Sequence, residues 1–193
     1  ALEREKAEGT QFIFGYEEAL GYTVGTVCRD KDGIGAALVF ADLAAWCESR
    51  GKTVLGYLEE IQRRFGLYAS AQRNFTFPGA EGAQVISRIM EGLRRSPPTQ
   101  VGERTVKSVL DYKKGEKLPP SNVLAFELEG GGRVTARPSG TEPKIKYYFE
   151  LKETPGSGEP VETARARAEA RLLKLIDAFL VLARERGQPE VGP

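Results

Sequence analysis

Histidine is absent from the 193-residue sequence, and the only cysteines are Cys28 and Cys47. Without histidine the chain cannot form a Ser-His or Cys-His nucleophile pair, an imidazole general base or a histidine-ligated metal site. Two cysteines are too few for a disulfide scaffold, and they lack the spacing of metal ligands. Any chemistry must therefore use carboxylates, lysines, arginines and hydroxyl groups.

The sequence also lacks a strong net charge and a long apolar run. Lysine plus arginine total 28 and aspartate plus glutamate total 27, which gives a net charge of +1. This balance argues against a nucleic-acid or membrane-surface protein held by bulk electrostatics, so any anion must be bound locally. No apolar run approaches the roughly 20 residues that span a bilayer, and the charged residues 1–9 are unlike a signal peptide. These features predict a cytoplasmic protein.

The first third of the sequence predicts an incomplete α/β unit. The apolar segment Gln11–Phe14 predicts a buried strand. Residues Ile34–Trp46 are apolar on nearly every side of a helical wheel, and a second helix follows with Thr53 as its N-cap and Gly66 at its end. One strand and two helices cannot close a sheet-based core. We therefore expect residues 1–66 to be part of a larger α/β domain.

The remaining residues, 67–193, predict an α+β domain. The predicted strands are Arg73–Phe77, Thr105–Tyr112, Asn122–Glu129, Arg133–Arg137 and Lys144–Leu151. A helix over Glu81–Arg95 and a long final helix carry single apolar stripes. This order is typical of an antiparallel sheet with helices on one face and solvent on the other.

The segment Arg137-Pro-Ser-Gly-Thr-Glu-Pro-Lys144 joins the last two predicted strands and has the composition of a phosphate-binding loop. Gly140 permits close approach of the backbone to an anion, successive amides can form a concave nest, and Ser139 and Thr141 add donors. Arg137 can pair bidentately with phosphate oxygens, and Lys144 adds a point charge. The alternative is an ordinary solvated hairpin turn, since turn chemistry alone favours that interpretation.

A second cluster, Gly15-Tyr-Glu-Glu-Ala-Leu-Gly-Tyr22, follows the first predicted strand. Ionised Glu17 and Glu18 are hydrogen-bond acceptors, which suits the vicinal hydroxyls of a sugar. The alternative is an acidic first turn of a helix, which the helix dipole would favour without any functional reason.

A third cluster surrounds Lys31, between Asp30 and Asp32. A calcium loop is excluded because the glutamate required at its twelfth position falls on Ala41. Lys31 is a candidate acid/base or phosphate contact. The alternative is helix capping by Asp32 with surface ion pairing of the lysine.

These three loops, in this order, resemble the α-D-phosphohexomutase superfamily, and most closely its phosphoglucomutase/phosphopentomutase branch. The segment Phe14–Tyr22 resembles the sugar-binding loop of the family's third domain, followed by the matching Asp30-Lys-Asp-Gly33, and Arg137–Lys144 resembles the phosphate loop of the fourth domain. The resemblance implies that residues 1–66 are the C-terminal portion of domain three and that residues 67–193 are domain four, with a TATA-binding-protein-like fold.

The resemblance also implies an activity. Family members move a phosphate between the C1 and C6 oxygens of a hexose, or between C1 and C5 of a pentose, through an enzyme phosphoserine and a bisphosphorylated intermediate. It assigns phosphate binding to Arg137, Ser139, Gly140, Thr141 and Lys144. Sugar binding falls to Glu17 and Glu18, and Lys31 matches a lysine near the transferred phosphate. Phosphoryl transfer depends mostly on positioning and electrostatics.

The sequence departs from the family pattern in several places. Many relatives have serine where this chain has Ala19, and the phosphoserine loop and the aspartate-rich Mg²⁺ loop have no counterpart here. The resemblance thus implies Mg²⁺, a glucose 1,6-bisphosphate-type activator and the N-terminal domains of the same enzyme as partners, and it predicts that this chain alone is inactive. Glucose is the expected sugar. A non-catalytic phosphosugar-binding module, a structural module and phosphomannomutase or phosphopentomutase specificity stay as alternatives.

Overall fold

A computed structural model of the chain describes residues 2–17, 20–115 and 119–187. The backbone divides into two compact units, Ala1–Glu60 and Ile61–Pro193. None of the helices in the described ranges is long and apolar enough to cross a membrane.

The first unit contains three helices and one hairpin. Its elements are α1 (Leu2–Glu8), β1 (Phe14–Glu17), β2 (Gly21–Val24), α2 (Gly33–Glu48) and α3 (Val54–Phe65), whose last residues belong to the second unit. β1 and β2 pair antiparallel, with Phe14 opposite Val24. The predicted strand Gln11–Phe14 is therefore wrong except at Phe14. The predicted cap of α3 is confirmed, because the hydroxyl of Thr53 accepts a hydrogen bond of 3.0 Å from the Gly56 amide.

Helix α2 is apolar around most of its circumference yet buries only one side chain, that of Cys47. Ile34, Leu38 and Phe40 are 87%, 72% and 59% exposed. A helix that is apolar all round is normally packed on several sides. The described part of the first unit therefore leaves α2 without the apolar partners that its sequence requires, and its membership of a larger α/β domain stays a prediction.

The second unit is built on a six-stranded sheet. Its strands are β3 (Leu67–Thr76), β4 (Gln100–Val101), β5 (Arg104–Asp111), β6 (Leu124–Leu128), β7 (Gly132–Pro138) and β8 (Lys144–Glu153). The order across the sheet is β3-β8-β7-β6-β5-β4, and every neighbouring pair is antiparallel. Strand β3 is longer than the predicted Arg73–Phe77 because all ten of its residues pair with β8.

The core of this unit lies between the sheet and two helices, α4 (Ala80–Arg95) and α5 (Val161–Arg186). Alternation along β8 buries Ile145, Tyr147, Phe149 and Leu151, as expected for a strand with one covered face. The ring of Phe179 on α5 lies within 6 Å of three sheet rings, those of Phe126, Tyr147 and Phe149. The predicted α+β architecture, with an antiparallel sheet and helices on one face, is confirmed.

An ion-pair network joins α5 to the end of β8 and to the loop that follows it. The guanidinium of Arg167 donates to Glu159 and, at 3.1 Å, to Glu153, and Glu153 also accepts from Arg171 at 2.7 Å. Glu159 further accepts a hydrogen bond of 2.7 Å from the Gly156 amide. Hydrogen bonds from Arg167 and then from that amide lower the pKa of Glu159 from its ordinary value of 4.5 to about 2.

This network predicts a pH-dependent contribution to stability. Because the pKa of Glu159 is lower in the folded chain than in the unfolded chain, its contribution is fully present above about pH 4.5 and is lost as the pH falls through about 2. We expect Glu159→Gln to lower the melting temperature at pH 7 and to have a smaller effect at pH 2.5, measured by circular dichroism. A melting-temperature difference that stays constant over this range would contradict the lowered pKa. Glu162→Gln is the control at the exposed start of α5.

Candidate functional site

The loop between β7 and β8, residues 139–143, is held closed by its own backbone. The Ser139 amide donates to the carbonyl of Lys144 at 2.7 Å, and the Lys144 amide donates to the carbonyl of Glu142 at 2.7 Å. The carbonyl of Pro143 accepts from the amide of Phe77, at 2.9 Å, which fixes the loop to the segment before α4. The loop is therefore a shaped connection between two paired strands.

The predicted amide nest is smaller than the sequence suggested. The Ser139 amide is used in closing the loop, and its hydroxyl lies 3.4 Å from the Thr141 amide, at the limit of a hydrogen bond. Within the described ranges, the amides of Gly140 and Glu142 have no protein acceptor. A Cβ built on Gly140 would have no heavy atom within 4 Å, so an anion could approach this stretch of backbone directly.

Three cationic side chains, those of Arg137, Lys144 and Lys146, lie beside the loop. Arg137 and Lys146 lie directly opposite each other on β7 and β8, and Lys144 is two residues away from Lys146. None of the three forms an ion pair with a residue that the structure describes, whereas Arg133, on the same face of β7, is bonded to Glu127. Opposed like charges destabilise a sheet, and a bound anion would relieve that cost.

Lys146 was not among the residues that the sequence analysis singled out. It falls in the alternating part of β8, where a lysine between Ile145 and Tyr147 is typical of an exposed strand face. Only the pairing of β8 with β7 shows that it faces Arg137. The candidate phosphate site thus has the four side chains predicted from the sequence, those of Arg137, Ser139, Thr141 and Lys144. The structure adds Lys146 as a fifth.

The predicted sugar-binding residue Glu17 lies at the end of β1 in the hairpin of the first unit. The interpretation of this cluster as a helical first turn is therefore wrong. Glu18, and the Ala19 that departs from the family pattern, lie outside the described residues. The carboxylate of Glu17 is 3.5 Å from the ammonium of Lys31, so the structure brings together two of the residues that the sequence proposed.

The segment around Lys31 is fixed by its neighbours. Asp32 caps α2 by accepting from the amides of Ile34 and Gly35 at 3.1 and 3.0 Å, so the capping role proposed as an alternative is confirmed for this residue. Asp30 accepts from the Lys31 amide at 2.7 Å, and this hydrogen bond, with the lysine charge, lowers the pKa of its carboxyl. Lys31 itself is held between two carboxylates, with its ammonium 3.7 Å from Asp30.

These groups line a shallow cavity of about 240 Å³ in the first unit, with Phe12, Tyr16 and Thr23 completing the wall. A Cβ on Gly21 would lie 2.8 Å from the side chain of Lys31 and 3.0 Å from that of Glu17. Glycine at this position therefore lets both side chains reach the cavity. The cavity's charged groups are the carboxylates of Glu17 and Asp30 and the cations of Arg29 and Lys31, and acceptors and donors beside an aromatic wall suit a polyol ligand.

A magnesium site does not fit the described residues. They contain no group of three or more aspartate, glutamate, histidine or cysteine side chains placed to hold a metal ion. The described residues therefore do not supply a set of Mg²⁺ ligands.

Comparison with known families agrees with this geometry. The family model for the phosphoglucomutase/phosphomannomutase C-terminal domain matches residues 99–168, which include the loop and both of its strands. The chain belongs to the phosphoglucomutase/phosphomannomutase family. The resemblance drawn from the three loops is thereby confirmed at the level of the phosphohexomutases.

Three curated relatives of this phosphohexomutase chain differ in their assigned activity. A probable phosphomannomutase of Haemophilus influenzae is 40% identical over 81% of the chain, and a phosphoglucomutase of Staphylococcus haemolyticus is 36% identical over 77%. The glucose 1,6-bisphosphate synthase of Mus musculus is 31% identical over 89%. The chain spans 29–31% of the length of these relatives.

A solved structure supports the fold. The open form of parafusin, a phosphoglucomutase from Paramecium, matches 98% of this chain with a TM-score of 0.61 at 20% identity, and the match covers 34% of that protein. At this identity the likeness bears on the architecture alone.

Proposed function

We propose that this phosphohexomutase chain is the sugar-phosphate-binding portion of an enzyme that interconverts glucose 1-phosphate and glucose 6-phosphate. The reaction would proceed through an enzyme phosphoserine and a bisphosphorylated intermediate. The observation that carries the proposal is the open glycine backbone of residues 139–143, beside which Arg137, Lys144 and Lys146 form no ion pair with any residue that the structure describes. Local cations of this kind fit a chain whose net charge is close to zero.

The proposed role of the loop is to hold the phosphate that does not react. Arg137 can give two parallel N–H bonds to its oxygens, and the amides of Gly140 and Glu142 and the hydroxyls of Ser139 and Thr141 can supply neutral donors. Lys144 and Lys146 add point charges. A site of this composition recognises the phosphate and not the sugar, so it could serve whichever end of a bisphosphorylated sugar is bound.

The proposed role of the hairpin is to read sugar hydroxyls and to assist transfer. Glu17, with Glu18 beside it in sequence, would accept hydrogen bonds from two hydroxyl groups. The ammonium of Lys31, 3.5 Å from Glu17, would stabilise negative charge that develops on the transferred phosphoryl group. Its position between the carboxylates of Glu17 and Asp30, at 3.5 and 3.7 Å, suits an electrostatic role.

Other parts of the enzyme are included in the proposal. The phosphoserine, Mg²⁺ and the activator glucose 1,6-bisphosphate are assigned to the complete cytoplasmic enzyme, in which N-terminal domains act with this chain, and the chain alone is expected to be inactive. Residues 1–66 and 67–193 are proposed as the end of domain three and as domain four. Mannose or pentose specificity is a secondary candidate, since one relative is named as a phosphomannomutase.

A nuclear magnetic resonance titration tests the binding proposal. In ¹⁵N-labelled chain, we expect the amide resonances of Gly140 and Thr141 to shift saturably on addition of glucose 1-phosphate, because an anion would accept hydrogen bonds from this part of the loop. Glucose at the same concentrations is the control and should leave these two resonances unchanged.

The outcomes of this titration separate the alternatives. Unshifted Gly140 and Thr141 resonances at millimolar glucose 1-phosphate would support the structural-module interpretation and reject the proposed site. Saturable shifts, combined with absence of mutase activity in the complete natural polypeptide, would instead favour a non-catalytic binding module.

A further inference from the structure

The second unit contains a cavity at the end of the sheet opposite the phosphate loop. It has a volume of about 500 Å³ and lies between α5 and the β4–β5 hairpin, where Gly102 and Glu103 form the turn. The loop of residues 139–143 follows Pro138 at one end of β7, whereas the cavity adjoins Leu151, which pairs with Gly132 at the other end. Six residue steps at about 3.4 Å each separate the two ends by about 20 Å.

The walls of this cavity differ in chemistry from its floor. The floor is apolar and consists of Val101, Leu151 and Leu175, all less than 5% exposed. The rim carries three cations, Arg104, Arg171 and Lys174, against the single carboxylate of Glu103. Ligand cavities of about 300–1,000 Å³ commonly combine an apolar lining with a few convergent polar groups.

Two of the three cations are positioned by the protein. Arg104 donates to the carbonyl of Glu129 at 3.2 Å, and Arg171 donates to Glu153 at 2.7 Å. The bond of Arg104 uses one of its five N–H donors and leaves others for a ligand. An arginine oriented by a backbone carbonyl loses little side-chain entropy when it binds an anion.

The third cation, Lys174, has no ion-pair partner in the described part of the chain. It lies three residues after Arg171 on α5, where like charges repel each other and destabilise a helix. Its carbonyl oxygen is 4.0 Å from the position of a Cβ built on Gly102, whose φ of +57° allows the hairpin to turn close against α5. The hairpin therefore holds one wall of the cavity against the helix that bears the lysine.

We propose that this cavity binds a small organic phosphate, separately from the substrate loop. The phosphate would be held by Arg104 and Lys174, and the organic group would occupy the rest of the cavity, whose volume of about 500 Å³ exceeds that of a phosphate. Guanidinium and ammonium groups together favour a phosphate over a neutral ligand. Such a site would make the second unit responsive to a phosphorylated metabolite other than the bound substrate.

The test uses phenyl phosphate as the probe and the Arg137→Ala variant of the full chain as the background. In that variant the loop of residues 139–143 should bind phosphate weakly. Shifts at the cavity can then be assigned to the cavity itself, whether or not the loop is a phosphate site. We expect saturable shifts of the Gly102 and Glu103 amide resonances with phenyl phosphate, and an apparent Kd at least tenfold higher with inorganic phosphate. Equal Kd values for the two probes would overturn the role of the cavity in binding the organic group.

Substitutions then locate the site. Arg104→Ala and Lys174→Gln should each raise the Kd for phenyl phosphate at least tenfold, while Arg165→Ala should leave it unchanged, since Arg165 pairs with Glu162 near the start of α5. The unshifted resonances of β6 to β8 report folding in each variant. An absence of shifts at Gly102 and Glu103, or equal binding in all three variants, would overturn the proposal.

Discussion

Replacing Arg137 with alanine is expected to weaken phosphosugar binding by about 1.5–3 kcal/mol, the scale of a hydrogen bond to a charged group. This corresponds to a Kd for glucose 1-phosphate that is about 10- to 150-fold higher. Arg137 is exposed on β7, opposite Lys146, and its guanidinium has no carboxylate partner in the described chain. Its removal should therefore cost binding without costing folding stability. The KM of the complete enzyme and the Kd of the chain are the two measurements.

Arg133 provides a matched control for this experiment. It lies four residues earlier on the same face of β7, but it is bonded to Glu127, and that bond raises the pKa of its guanidinium. Arg133→Ala removes the same charge and a similar volume at a distance from the loop, so it should change the Kd less than twofold. Equal losses in both variants would mean that the effect is bulk charge. An unchanged Kd in Arg137→Ala would mean that the loop is an ordinary turn.

The Kd for glucose 1-phosphate in Lys146→Ala tests the site residue that could not be identified from the sequence. The sequence showed an alternating strand, and in such a strand a lysine between two apolar residues simply faces solvent. Its relation to Arg137 depends on the register between β7 and β8, which is set by the length and closure of the intervening loop. Local patterns identified the loop itself because its glycine and hydroxyl residues are contiguous in sequence. They could not identify a contributor that is adjacent only across the sheet.

The elements that were predicted correctly from the sequence have apolar residues with a single helical or strand periodicity. The apolar stripe of the final helix predicts a buried face of eight residues, and all eight are buried in α5: Val161, Ala164, Ala168, Leu172, Leu175, Ile176, Phe179 and Ala183. The alternation along β8 is equally clear, because one face meets α5 and the other meets solvent. In both elements, the residues whose spacing predicts the element are also the residues that pack in the core.

Prediction failed where pairing decides the structure. The apolar run before Phe14 suggested a buried strand, but the ladder of the first unit starts at Phe14 and continues through polar residues to Glu17. The first residues of β3 include small and polar side chains with weak strand preference, yet they pair with β8 along its full length. In both regions the partner strand supplies the stability, and the sequence of a single strand does not reveal it.

Truncation of Phe179 is expected to have the largest effect on stability. Its ring is fully buried in α5, with centroids of Phe126 and Tyr147 at 5.6 Å and of Phe149 at 5.9 Å, so it joins the helix to strands β6 and β8 of the sheet. Removing a buried aromatic ring leaves a cavity that a close-packed interior fills only in part. We therefore expect Phe179→Ala to lower the free energy of unfolding of the second unit by about 3–5 kcal/mol, measured by urea denaturation.

Leu173 offers the control for this prediction, because it lies on the same helix but is 55% exposed. Leu173→Ala makes a comparable truncation on the solvent side and should change the free energy of unfolding by less than about 0.5 kcal/mol. Phe179→Leu keeps most of the buried volume and should lie between the two. Losses of similar size at Phe179 and Leu173 would show that α5 does not pack on the sheet through this face, because only a buried ring can leave an unfilled cavity.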